Sequence, residues 1–173
     1  MTISAKVVRI GEGAFGGCSK LKQINLATGN QAFTLVDGVL YPKDMSVLLA
    51  SLGTITDATI PSSVTKIGAF AFMGCNGLGS MTIPEGVTNI EWVAFSDCKG
   101  LISLTIPASV MGIGPEAFKD CAELASVTMR GERPTSNNSI FKGCSKLKSI
   151  HVPANAKSWA GMKEWLGIPL VFD

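Results

Sequence analysis

Charge is scarce in this sequence, and several features that commonly indicate a function are absent. Charged residues make up 16% of the 173 residues and nearly cancel, which leaves a formal net charge of +2. No cluster of five or more lysines and arginines occurs, so the basic patch typical of a nucleic-acid-binding protein is missing. Apolar runs are short, far below the ~20 residues that a membrane-spanning helix needs. We therefore expect no nucleic-acid partner and no transmembrane segment.

The N-terminus also lacks a recognisable secretion signal. Residues 1–6 contain neither the basic start nor the apolar stretch of a signal peptide. The repeat described below is already present by Val7, which leads us to expect that the first turns belong to a longer parent chain. Apolar residues make up 46% of the sequence, which at this length is enough for one domain with a sizeable core.

What the sequence does contain is a repeat of 23 residues. A phenylalanine recurs at this period, at Phe72, Phe95, Phe118 and Phe141. A cysteine follows each phenylalanine by three positions, and a leucine follows each cysteine by three more. Including the columns of valine, isoleucine and proline, the unit reads I-P-x-x-V-x-x-I-x-x-x-A-F-x-x-C-x-x-L-x-x-V-x. A period of ~20–29 residues with this spacing is the signature of a leucine-rich repeat.

Such a repeat predicts a solenoid, because each turn stacks its apolar columns on those of its neighbours and no turn could bury them alone. We predict a β-rich, right-handed coil with one column of parallel strands per 23-residue turn and few short helical turns. The last residues of L-x-x-V-x-I alternate as a strand with one buried face should. The proline that follows donates no backbone hydrogen bond and ends the strand.

We interpret residues 1–173 as a single leucine-rich-repeat domain with four parts. The first repeat occupies 1–26, an insertion 27–58, four further repeats 59–152, and a C-terminal cap 153–173. In the insertion, Asp37-Gly38 lies between apolar runs and predicts a β-hairpin that leaves the solenoid.

The last repeat is degenerate, and the segment after it changes period. Arg133 and Ser136 stand where valine and isoleucine are expected, which predicts a polar loop in place of a second short strand. Residues 154–166 have helix-like spacing that ends near Gly167. We predict a short helix that lays Trp159 and Leu166 over the open end of the solenoid as a terminal cap.

The motifs A-F-x-x-C-x-x-L-x-x-V-x-I-P and V-x-x-I-G closely resemble the BspA-type leucine-rich repeats of bacterial surface proteins. The segment 36–41, Val-Asp-Gly-Val-Leu-Tyr, resembles the hairpin of that family, and the resemblance covers nearly the whole chain. It implies a secreted or cell-surface protein that acts in adhesion or host contact. It carries over no catalytic residue, because the family has none.

The five cysteines form one column of the repeat, at Cys18, Cys75, Cys98, Cys121 and Cys144. Adjacent turns lie ~4.8 Å apart, so a disulfide between neighbours is geometrically conceivable. The odd count and the strict period favour a ladder of small buried thiols instead. Metal-ligand spacing such as C-x-x-C is missing, so we expect neither a metal nor a cofactor.

Hydroxyl side chains occupy the outward positions of the predicted strands. They form two columns, which comprise Ser80, Thr82, Ser103, Thr105, Ser126 and Thr128, continued by Ser149 and His151. Such a face could bind a glycan, an extended protein strand or ordered water, as threonine-array ice-binding solenoids do. Serine and threonine also suit an exposed strand without any ligand. We interpret the single histidine, His151, as a surface residue rather than a catalytic one.

Aromatic side chains offer a second candidate surface. Phe70, Trp92 and Val93 stand where other repeats have glutamate, glycine or proline, which indicates an exposed patch for a partner. Alternatively, the inserted hairpin with Tyr41 folds over them.

Together these patterns predict a non-catalytic module that binds a protein or glycan ligand. The alternative is a structural spacer within a longer surface protein. The candidate ligand-binding residues are the outward hydroxyls and His151, together with Trp92, Phe70 and Tyr41.

Overall fold

The computed structural model describes residues 1–18, 21–52, 55–56 and 59–173, and these are folded mainly as short β-strands and turns. The strands are β1 (Thr2–Ile3), β2 (Asn25–Leu26), β3 (Phe33–Val36), β4 (Val39–Pro42), β5 (Val47–Leu48), β6 (Lys66–Ile67), β7 (Ser80–Thr82), β8 (Asn89–Ile90), β9 (Ser103–Ile106), β10 (Gly112–Ile113), β11 (Ser126–Met129), β12 (Ile150–Val152), β13 (Glu164–Trp165) and β14 (Ile168–Phe172). The only helical element in the described ranges is one 3-10 turn, Lys157–Trp159. Consequently, this part of the chain has no helix able to cross a bilayer.

Two sheets run along the solenoid, and each regular turn contributes a strand to both. The strands of the regular turns are parallel to one another. The six-stranded sheet has the order β13-β14-β12-β11-β9-β7, and the four-stranded sheet has the order β10-β8-β6-β5. Strands of neighbouring turns pair with a 23-residue offset, for example Leu104 with Val127 and Ile67 with Ile90. The prediction of one strand column per turn was therefore incomplete. The sequence indicated a second short strand in the regular repeat, but a strand of two residues has too little alternation to predict that these strands pair into a sheet of their own.

Stacked phenylalanine rings form the centre of the main core. The ring centroids of Phe72 and Phe95 are 4.9 Å apart, those of Phe95 and Phe118 are 5.1 Å apart, and Phe141 continues the row at 5.6 Å. The interplanar angles are 10°, 11° and 21°, so the rings are nearly parallel. This in-register stack confirms the solenoid of about 23 residues per turn that the repeat predicts.

The second strand of the inserted hairpin, β4, is buried between two hydrophobic clusters. The turn residues Asp37 and Gly38 both have positive φ, 49° and 78°, as a two-residue type I′ hairpin turn requires. On β4, Val39 and Tyr41 belong to the main core, whereas Leu40 belongs to a smaller cluster formed with the first repeat. The prediction that the hairpin leaves the solenoid was wrong. A strand buried on both faces is continuously apolar, as Val39-Leu40-Tyr41 is.

The C-terminal segment closes the solenoid as a hairpin, and the predicted helical cap was wrong. Strand β14 pairs in parallel with β12 and antiparallel with β13, so the segment extends the six-stranded sheet. The helix-like spacing is interrupted by Gly161 and Gly167, which both have φ of 76°, outside the helical region. Trp159 is nevertheless fully buried, and its indole Nε1 donates a hydrogen bond of 2.9 Å to the Gly131 carbonyl oxygen.

The degenerate repeat keeps part of the second strand column. Thr135 forms an isolated parallel bridge with Gly112, and the Ile113 amide donates to the Thr135 carbonyl oxygen at 2.9 Å. Arg133 and Ser136 are exposed, as expected for a polar loop, whereas Pro134 between them is buried. The backbone pairing therefore survives the loss of the valine and isoleucine side chains, because backbone hydrogen bonds do not depend on the side chain.

Candidate functional site

The predicted hydroxyl columns lie in register on the outer face of the six-stranded sheet. Ser80, Ser103 and Ser126 align across β7, β9 and β11, and so do Thr82, Thr105 and Thr128. These side chains alternate with buried residues, so they point away from the core. We call this set of six residues the hydroxyl face.

Thr59 occupies the same repeat position as the threonines of the hydroxyl face and was missed in the sequence analysis. It lies 23 residues before Thr82 and is exposed. The period itself could have identified it, but the hairpin insertion before it hides the start of its repeat.

Threonine hydroxyls on the two sheets differ in whether they form hydrogen bonds within the protein. On the four-stranded side, the hydroxyls of Thr65 and Thr135 donate to carbonyl oxygens of the preceding turn at 3.1 and 3.0 Å. Within the described ranges, the hydroxyls of Thr82, Thr105 and Thr128 form no hydrogen bond. Their hydrogen-bonding capacity is therefore available to a ligand.

Two of the three serines of the hydroxyl face are hydrogen-bonded to each other. The Ser103 hydroxyl donates to the Ser80 hydroxyl over 3.0 Å, which leaves lone pairs on both oxygens for an incoming donor. The hydroxyl face therefore combines threonine hydroxyls that can donate with a hydrogen-bonded serine pair that can accept. It carries no formal charge.

His151 lies at the C-terminal end of the threonine column. It is paired with Thr128 across β11 and β12 and with Val171 across β12 and β14. Its Nδ1 contacts the Oδ1 and Oδ2 atoms of Asp173 at 3.0 and 3.1 Å. Among the described residues, no serine, threonine or cysteine is hydrogen-bonded to this imidazole. The pair therefore ties the end of β14 to β12 and does not form a nucleophile–base arrangement.

Phe70 and Trp92 form an aromatic pair beside the first repeat. Their ring centroids are 4.4 Å apart in an edge-to-face arrangement with an interplanar angle of 73°. The Phe70 ring covers Gly13 and Gly16, because a Cβ at either glycine would lie within 3 Å of it. Trp92 is 46% exposed. Phe70 thus packs the first repeat against the next turn, and Trp92 presents an aromatic surface to solvent.

Tyr41 lies in the main core, away from solvent. Its side chain is fully buried, and its hydroxyl has no hydrogen-bond partner among the described atoms. Burial, with a smaller contribution from the charge of Asp37, raises the pKa of Tyr41 to about 12. A buried phenol cannot contact a ligand on the surface, so Tyr41 is not part of the hydroxyl face.

The cysteines form a ladder of free thiols. The Cys98, Cys121 and Cys144 thiols donate to carbonyl oxygens of the preceding turn at 3.0 to 3.1 Å. Burial raises the pKa of the Cys75 thiol, which disfavours the reactive thiolate. Cys18 differs because it is exposed in the first repeat. All five thiols are free, and the described residues contain no cluster of three potential metal ligands.

Comparison with known proteins identifies the repeat. The family model for the BspA type leucine rich repeat region matches residues 1–34 and 48–161 in six copies. Two segments are not matched: residues 35–47, within the hairpin insertion and its connection to β5, and residues 162–173, which contain β13 and β14. No curated protein matches this chain.

Solved structures of bacterial proteins share the fold. A leucine-rich repeat protein from Eubacterium ventriosum ATCC 27560 is 28% identical with a TM-score of 0.80, covering 90% of this chain and 42% of that one. A leucine rich cell surface protein from Faecalibacterium prausnitzii A2-165 is 26% identical with a TM-score of 0.56, at 90% and 42% coverage. Pneumococcal vaccine antigen PcpA, at 22% identity, shares the fold with a TM-score of 0.75 and coverage of 99% and 49%. The chain thus spans less than half the length of each.

Proposed function

Because the chain belongs to the BspA-type leucine-rich-repeat family, we propose that it is a non-catalytic binding module of a bacterial cell-surface or secreted protein. Its ligand is a protein or a glycan, and the contact surface is the hydroxyl face. The similarity to a leucine rich cell surface protein from Faecalibacterium prausnitzii supports the proposed location.

The contrast between the two threonine columns supports this proposal. Thr65 hydrogen-bonds within the solenoid, whereas Thr82, Thr105 and Thr128 keep their hydroxyls free in a regular column that points away from the core. Strand spacing places neighbouring hydroxyls of a column ~4.8 Å apart. A ligand with regularly spaced donors and acceptors can therefore bond to several turns at once. Uncharged hydroxyls also avoid the large desolvation cost of burying ions.

The experiment is a screen of glycan and host-protein arrays with the wild-type chain and two triple variants. In the first, Thr82, Thr105 and Thr128 are changed to valine, which retains the shape of the side chain and removes the hydroxyl. In the matched control, which lies on the four-stranded side, Thr65 and Thr88 are changed to valine and Ser109 is changed to alanine. We expect the first variant to lose capture of the wild-type ligands and the control to retain it.

The structural-spacer alternative predicts a different outcome. A spacer captures no ligand from either array, and both triple variants then behave as the wild type does. If ligands are captured but the hydroxyl-face variant still binds them fully, the binding surface lies elsewhere. Trp92→Ala, tested on the same arrays, then determines whether the exposed aromatic side chain is the contact.

A further inference from the structure

A cleft opens at the C-terminal end of the solenoid, where the repeat becomes irregular. It consists of two cavities of about 280 and about 520 Å³, and Asn138 and Leu166 line both. The larger volume falls within the range of ~300–1,000 Å³ that is usual for ligand sites. None of the lining residues belongs to the hydroxyl face. We call this site the C-terminal cleft.

The two walls of the cleft differ in chemistry. The wall from the degenerate repeat provides hydrogen-bonding side chains, namely Arg133, Thr135, Ser136 and Asn138. The wall from the C-terminal hairpin is mostly apolar and includes Met162, Trp165 and Leu166, with Glu164 beside them. Lys142 and Ser145 line the smaller cavity. A ligand in the cleft therefore meets polar groups on one side and apolar surface on the other.

The cleft exists because the last repeat departs from the pattern. Arg133 and Ser136 occupy the positions at which the preceding repeat has the buried side chains Val110 and Ile113. Polar residues at these repeat positions lack the hydrophobic stabilisation that valine and isoleucine provide in the preceding repeat. Such departures from a pattern are expected at functional sites. The C-terminal hairpin then covers the end of the core without filling the space next to the polar loop.

Positive charge is concentrated around this cleft. Residues 130–173 contain seven lysines and arginines against three acidic residues, a formal charge of +4, whereas the whole chain carries +2. Two of those acids are engaged: Glu132 accepts from the amides of Lys157 and Ser158, and Asp173 contacts His151. This leaves Glu164 as the only acidic side chain in the lining.

The basic side chains of the lining are not neutralised within the protein. Arg133 and Lys142 form no salt bridge in the described part of the chain, whereas Lys66, Lys99, Lys119 and Lys146 do. Unpaired cations beside a cleft attract anions, and a guanidinium can bind a carboxylate through two parallel hydrogen bonds.

We propose that the C-terminal cleft binds an acidic oligosaccharide, at a site separate from the hydroxyl face. Arg133 and Lys142 contact the carboxylate or sulfate groups, and Ser136 and Asn138 hydrogen-bond to sugar hydroxyls. The apolar wall receives the C–H faces of the rings. An acidic peptide fits less well, because peptide recognition by an open strand needs a longer edge than the two residues of β13.

Isothermal titration calorimetry tests the proposal with four defined probes. These are a hyaluronan hexasaccharide with carboxylates, a heparin hexasaccharide with added sulfates, neutral chitohexaose and a hexaglutamate peptide. We expect one or both acidic saccharides to bind, and the other two probes not to bind. The affinity should fall as salt is added, because the charges are close to solvent.

Three variants distinguish a built cleft from general charge attraction. Arg133→Gln with Lys142→Gln should weaken binding at least tenfold, while the Arg133 amide keeps its hydrogen bond to Ser158. Lys43→Gln with Lys99→Gln removes the same two charges elsewhere and should leave the affinity within twofold. Asn138→Trp fills the cleft without changing charge and should weaken binding at least tenfold.

The proposal is overturned by any of four results. These are binding of neither acidic saccharide, binding of hexaglutamate as tight as that of the acidic saccharides, equal weakening by the variant of Arg133 and Lys142 and by the variant of Lys43 and Lys99, and full affinity of Asn138→Trp. Loss of binding in the hydroxyl-face variant does not bear on this site, because the two residue sets do not overlap. The two proposals can therefore fail independently.

Discussion

The rings of Phe72 and Phe95 stack at 4.9 Å with only 10° between their planes, although 23 residues separate them in the chain. A column of leucines could fill the same part of the core. Phenylalanine rings fill it as a stack, because the distance between their centroids is close to the spacing of neighbouring turns. Each ring is thus buried by the rings above and below it, and the core is continuous along the solenoid.

Truncation of a central ring should cost more than truncation of an exposed one. We expect Phe95→Ala to lower the free energy of unfolding by about 3–5 kcal/mol, because it leaves a cavity between two neighbouring rings. Phe172→Ala, at a side chain that is 44% exposed, should cost about 1 kcal/mol or less. Urea denaturation followed by circular dichroism measures both. Equal losses would contradict the stacked core.

The indole of Trp159 should be as important at the C-terminal end. It is fully buried, packs edge-to-face on Trp165 at 5.3 Å and donates to the Gly131 carbonyl oxygen. We expect Trp159→Ala to cost about 3–5 kcal/mol in thermal or urea unfolding. Trp92→Ala, which truncates a half-exposed indole, is the control and should cost clearly less. The reverse order would mean that the C-terminal segment does not close the core.

The unpartnered hydroxyl of Tyr41 predicts a stabilising substitution. A buried polar group without a partner costs about 1–3 kcal/mol, so we expect Tyr41→Phe to leave stability unchanged or raise it by up to that amount. Leu40→Ala on the same strand is the control and should cost about 2–5 kcal/mol. A destabilised Tyr41→Phe variant would show that the hydroxyl has a partner after all.

The raised pKa of Tyr41 predicts a loss of stability at alkaline pH. The folded pKa of Tyr41 is about 12, and the ordinary value is 10.0. Above pH 10 the unfolded chain therefore releases this proton while the folded chain keeps it, so stability falls as the pH rises. We expect the wild type to lose stability relative to Tyr41→Phe between pH 10 and 12. Parallel curves for the two proteins would rule out a raised pKa.

Thiol reactivity should separate Cys18 from the rest of the ladder. It is exposed, whereas the other four cysteines are buried and each of them donates to a carbonyl oxygen. We expect a thiol reagent at mildly alkaline pH to modify Cys18 quickly and the buried thiols only after denaturation. Cys18→Ser should abolish the fast reaction. Fast modification of any other cysteine in the native protein would contradict the buried ladder.

Threonine substitutions on the two sheets should differ in stability. Thr65→Val removes a hydrogen bond to the Ser46 carbonyl oxygen and should cost about 0.5–1.5 kcal/mol. Thr105→Val removes a hydroxyl without a partner and should be nearly neutral. Urea midpoints of the two variants provide the comparison. A large loss at Thr105 would mean that the hydroxyl face is stabilised internally and is not free for a ligand.

The repeat period by itself determined the solenoid, the phenylalanine stack and the two outward hydroxyl columns. Residues 23 positions apart are neighbours in a solenoid of this period. The spacing along the sequence therefore predicts these contacts directly. The family follows for the same reason, because its motif recurs over most of the chain.

Only the tertiary structure decided the parts that do not repeat. The sequence of Val39-Leu40-Tyr41 indicates a strand but not the two clusters that bury it from opposite sides. Residues 154–166 have helical spacing, yet pairing of β14 with β12 makes the segment a hairpin. Whether Thr105 or Thr65 has a free hydroxyl depends on the carbonyl oxygen that the neighbouring turn places within reach. Such outcomes are set by contacts between segments without a common period, and no local pattern encodes them.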